Sequence, residues 1–162
     1  MLLKIDKIMD QLLTYICMIL ISSITLLVAL QIVSRYIVNS PLGWTEEISR
    51  YLMAWFAFMG TPLALLTSSH IVVHLFSKDK KNKFTRMLGF LEFIGLSIFS
   101  VFMLTKGIYL TVMNWEVTIT SLDMSIGAWL YLAVPISALL IIIVLLLKVA
   151  KYFFPAAANQ KS

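Results

Sequence analysis

The chain has 162 residues, 60% of them hydrophobic and 13% charged, and a mean hydropathy of +0.94, whereas a soluble domain carries roughly a quarter of its residues charged. This composition excludes a water-soluble globular protein and predicts an integral membrane protein. The net charge of +5 reads as a signal for orientation in a bilayer rather than a footprint for nucleic acid, and the single cysteine, Cys17, excludes an intrachain disulfide or a cysteine metal cage.

At the amino terminus Leu2, Ile5, Met9, Leu12 and Leu13 recur near helical spacing, with Lys4, Asp6, Lys7, Asp10 and Gln11 on the other side. This pattern predicts a short interfacial helix leading into the membrane. A hydrocarbon core of roughly 30 Å needs about 20 apolar residues in a helix. Four runs meet that need: Gln11 to Ser34, Tyr51 to Ser77, Met87 to Thr105 with only Glu92 as a charge, and Met124 to Leu147. The predicted transmembrane helices therefore cover about 12–34, 48–69, 87–105 and 124–147. Strands are excluded because the runs are apolar on all sides, without the alternation of a membrane barrel. The first run exceeds a signal-peptide core of about 7–15 residues, and no small-residue cleavage pattern follows at Gln31 to Tyr36, so it is expected to persist. The fold class is an all-α membrane protein with one four-helix domain over 1–154 and a tail over 155–162.

The cations set the predicted topology. Lys4, Lys7, Lys78, Lys80, Lys81, Lys83, Arg86, Lys148, Lys151 and Lys161 fall on one side, and Arg35, Arg50 and Lys106 on the other. The positive-inside rule places both termini in the cytoplasm. Trp44, Trp115 and Trp129 fall on or near the opposite side, where indoles favour the headgroup boundary.

Polar chemistry concentrates in Trp44-Thr45-Glu46-Glu47-Ile48-Ser49-Arg50 at the start of the second span. Glu46 lies four residues and Glu47 three residues before Arg50, so either carboxylate can reach the guanidinium on a helix. Arg35 offers a second cation at the end of span one. The same charges suit an ordinary solvated helix start or a site withdrawn from water and facing a partner. Ser40-Pro41 reads as an N-cap with proline at the first helical position. His70 and His74 share a helix face, but no cysteine or carboxylate nearby in sequence completes a metal site. Glu92, inside span three, is read either as paired across the bundle with His70 or His74 or as a carrier of a proton or cation. No nucleophile with a base, phosphate loop or metal-ligand set is present, so neither an enzyme nor a metal cofactor is expected.

Arg35 closing span one, Trp44-x-Glu46-Glu47-x-x-Arg50, Trp55, Gly60, and His70-Ile71-x-Val73 closing span two together resemble the small, DctQ-like membrane subunit of tripartite ATP-independent periplasmic (TRAP) transporters. Tyr131 to Pro135 is a further, less specific point of likeness. Family members often carry an Arg or Lys shortly before the histidine and an acid four residues after it, where this chain has Leu65 to Ser69 and His74. The resemblance implies a scaffold subunit in a bacterial inner membrane, paired with a large multi-span subunit that binds substrate and sodium ions. A periplasmic substrate-binding protein would deliver a carboxylate of the C4-dicarboxylate or sialic acid type. It also implies that Arg35, Trp44, Glu46, Glu47, Arg50 and Trp55 organise the outer half of the subunit or its contact with partners. The alternative is a small proton-coupled multidrug exporter using Glu92, a class whose critical acid lies in its first span, where this chain has none.

Overall fold

The computed structural model describes residues 2–40, 42–67, 83–118 and 125–153. Within them the chain is helical: α1 Leu2–Tyr36, α2 Gly43–Thr67, α3 Lys83–Met113, a π-helical turn Gly127–Tyr131, and α4 Ala133–Phe153. Strand structure among the described residues is limited to an isolated antiparallel bridge between Thr118 and Ser125.

The expected short interfacial helix is not a separate element. α1 runs unbroken for 35 residues, about 52 Å, because no glycine or proline interrupts its interfacial and membrane-spanning stretches. It stops where Asn39 takes a left-handed conformation, φ 52°, which asparagine tolerates better than most side chains. The Ile37 amide then donates to the Val33 carbonyl at 2.9 Å, and the Ser34 hydroxyl donates to the Ser40 carbonyl. Ser40 thus helps close α1 and does not cap α2, which starts at Gly43. The hydroxyl at the head of α2 is that of Thr45, which donates to the Leu42 carbonyl at 2.7 Å.

Among the described residues, three helices are long and apolar enough to cross a membrane: Ile5–Tyr36, Phe90–Met113 and Trp129–Ala150. α2 is not among them, because Glu46, Glu47 and Arg50 occupy its first two turns. The uncharged remainder of its described length, Tyr51 to Thr67, rises only about 25 Å. α3 continues through Lys106 to Met113, past the expected end at Thr105. An apolar environment favours helical continuation because every free backbone amide there is costly.

The core lies between α1, α2 and α4. Leu13, Cys17 and Met59 are buried, with Ile16, Trp55, Phe56, Ile136 and Leu140 packed around them. Near the α1–α2 turn the contact changes to small hydroxyl residues, Ser34, Thr45 and Ser49, all buried. Such residues let two helices approach closely, and the Ser49 hydroxyl is satisfied by donating to the Thr45 carbonyl at 2.7 Å. α3 packs chiefly on α4 and the π turn. They cross where Gly107 meets Val134 and Pro135: a Cβ on Gly107 would lie 3.0 Å from the Pro135 ring.

Candidate functional site

The Arg35–Trp55 region is built by the α1–α2 turn and the first three turns of α2. Arg50 donates to the Glu46 carboxylate at 3.1 Å, four residues away on the helix. Both side chains are well exposed, 70% and 63%, so the pair contributes about 0–1 kcal/mol. Glu47 points elsewhere. It is half-buried, and its Oε2 is sealed from solvent with no hydrogen-bond partner among the described residues. Arg35 stands exposed at the end of α1, and among the described residues no ion pair joins it to either glutamate. The structure therefore assembles half of the expected two-Glu, two-Arg arrangement.

Trp55 is tied in more firmly. Its indole Nε1–H donates to the Trp129 carbonyl at 2.6 Å, linking α2 to the π turn across 74 positions of sequence. In that turn the Leu132 amide donates to the Gly127 carbonyl at 3.1 Å, the wider loop of a π-helix. Gly127 fits against the end of α3 so tightly that a Cβ would fall 2.7 Å from the Thr111 carbonyl oxygen. Its own amide donates to the Asn114 carbonyl at 3.1 Å.

Trp44 is exposed on the first turn of α2. Glu92 is exposed on α3. His70 and His74, its expected partners, lie outside the described residues. The roles of Trp129, Gly107 and Gly127 were not among the sequence expectations. A groove of about 240 Å³ between α3 and α4 has apolar walls that include Leu104, Ile108, Leu132 and Pro135. The Thr111 hydroxyl on its wall is already donated to the Gly107 carbonyl at 2.8 Å. The groove therefore offers no free donor to a polar solute.

The family described as tripartite ATP-independent periplasmic transporters, DctQ component, matches residues 24–154. The chain belongs to this family. A putative TRAP transporter small permease protein of Haemophilus influenzae is 43% identical over 58 residues, 36% of each chain. The sialic acid TRAP transporter small permease protein SiaQ of Vibrio cholerae is 34% identical over 53 residues, 33% of this chain and 31% of its own. The sialic acid TRAP transporter permease protein SiaT of Haemophilus influenzae is 26% identical over 114 residues, which cover 68% of this chain but 18% of that protein. The matches thus span about a third of the two small relatives and under a fifth of the long one. With three long apolar helices, the chain is a multi-pass membrane subunit of a DctQ-type transporter, a family of transporter components rather than enzymes.

Proposed function

We propose that this chain is the scaffold subunit of a sodium-coupled secondary transporter for carboxylates of the sialic acid or C4-dicarboxylate type. It would hold a large permease subunit in a bacterial inner membrane while a periplasmic binding protein supplies the substrate. The observation that carries this reading is the likeness to SiaT, in which the matched stretch is 18% of one long permease protein. The other four-fifths of that relative has no counterpart in the alignment with this chain. A separate large subunit would supply it, together with the sodium and substrate sites. The apolar walls of the α3–α4 groove support a non-translocating role, because passage of a carboxylate needs polar partners across the hydrocarbon. Four spans with both termini in the cytoplasm agree with the cation distribution.

The test is a mild-detergent pull-down of the tagged full-length chain from its native membranes, with co-purifying proteins identified by mass spectrometry. Stoichiometric recovery of one much larger, many-span protein is the expected result. Deletion of the chain should also abolish sodium-dependent uptake of one carboxylate. Recovery of the chain alone or as a homodimer, with uptake intact in the deletion strain, would overturn the reading.

A further inference from the structure

α3 exposes most of its circumference, and its two exposed flanks differ in chemistry. Its buried edge is Ser100, Gly107 and Thr111, facing α4. One exposed flank carries Phe90, Ile94, Ile98, Val101, Ile108 and Val112, a largely aliphatic and uncharged surface that lipid chains cover without cost. The other carries Glu92, Gly95, Phe99, Phe102 and Lys106, all exposed. Helical spacing puts these five on one stripe.

That second flank is a poor surface for lipid. Fourteen residues separate Glu92 from Lys106, close to four turns, so their α-carbons stand about 21 Å apart along the axis. The hydrocarbon core is roughly 30 Å thick. No placement of α3 puts both α-carbons in the headgroup layers, and tilting the helix shortens the projected separation further. With Lys106 at the outer headgroup layer, where the cation distribution puts it, the Glu92 α-carbon lies roughly 9 Å inside the hydrocarbon, beyond the reach of its short side chain, and an ionisable group there is costly unless paired. The exposed face of α1 has the opposite character: from Gln11 to Ser34 it carries no charge. Gly95 adds an independent observation. A Cβ there would meet nothing within 4 Å, so nothing among the described residues requires glycine. A bare backbone in the middle of an exposed helical stripe allows close approach by a second helix.

We infer that the Glu92–Gly95–Phe99–Phe102–Lys106 flank of α3 is the surface on which the large membrane subunit seats a transmembrane helix. The inference rests on the scaffold reading above. Charge complementarity defines the occupant: an apolar helix with a cation level with Glu92 and a carboxylate or amide oxygen level with Lys106. The aliphatic flank and the outer face of α1 are left to lipid.

The test uses the full-length chain produced with its large subunit in native membranes. A photo-crosslinking benzoylphenylalanine replaces either Phe99 or the adjacent Ile98, which faces the other flank, or Leu26 on α1. Phe99 is expected to yield an adduct with the large subunit, whereas Ile98 and Leu26 yield none above background. The double variant Glu92→Gln, Lys106→Gln should lower recovery of the large subunit about threefold or more at an unchanged membrane level of this chain. Equal adducts from Phe99 and Ile98, adducts with lipid alone, or undiminished recovery with the double variant would each overturn the docking surface and leave the scaffold reading standing. Failure of the unsubstituted chain to recover any large protein would instead overturn the scaffold reading, and the docking surface with it.

Discussion

Two acidic neighbours, Glu46 and Glu47, occupy opposite situations despite being adjacent in sequence. Glu46 is exposed and shares its charge with Arg50, so Glu46→Gln should change thermal stability in detergent by no more than about 1 kcal/mol. Glu47 holds a sealed oxygen with no partner among the described residues, a state that costs free energy until a donor reaches it. Glu47→Ala is expected to lower the yield of the assembled complex and the uptake rate together, with the membrane level of the chain preserved; normal yield and uptake would remove Glu47 from the assembly surface. Trp55→Phe removes the donor to the Trp129 carbonyl together with the pyrrole half of the indole, so a loss of about 1 kcal/mol or more is expected in a melting curve of the isolated subunit. The Glu46–Arg50 pair was legible in the sequence because helix spacing alone brings those two together. The Trp55 bond was not, since its acceptor is a backbone carbonyl 74 positions away that carries no residue signature. Arg35 misled for a related reason: spacing within one helix says nothing about the rotation of the next.

Among the elements, the helices themselves were written plainly in the uncharged runs, and their ends were not. A run of apolar residues shows where a helix is obligatory, but a helix continues through Lys106 at little cost once its backbone is committed. The junction of α3, the π turn and α4 was invisible beforehand because it depends on two glycines being approached by a neighbouring backbone or ring. Those glycines differ from Gly95 in a measurable way. Gly127→Ala sets a methyl within 2.7 Å of a carbonyl oxygen and should destabilise the isolated subunit by about 1–3 kcal/mol. Gly95→Ala meets open space and should stabilise the isolated subunit by up to about 1 kcal/mol through helix propensity. Paired melting curves of the two variants in one detergent decide the matter; equal shifts would show that the close fit at Gly127 relaxes freely.

The molecule as a whole is asymmetric in how its helices depend on one another. α1 and α2 form a tightly packed hairpin, α3 leans chiefly on α4, and α4 touches all three. The cation distribution predicts that an accessible thiol introduced at Lys161, in a chain with Cys17→Ser, reacts with a membrane-impermeant reagent only after the cytoplasmic face is opened. Labelling of intact cells would invert the topology. The order of the helices along the chain also fixes an order of events during synthesis. The α1–α2 hairpin can pair while translation continues, but α3 enters the bilayer before α4, the helix it rests on, has been made. For the time needed to synthesise roughly forty residues, from Met113 to Phe153, α3 is a solitary span whose Ser100, Gly107 and Thr111 edge is uncovered. During that interval the nascent chain is most open to capture by an insertion chaperone or to degradation, and a partner already present in the membrane could meet α3 before the subunit has closed on itself.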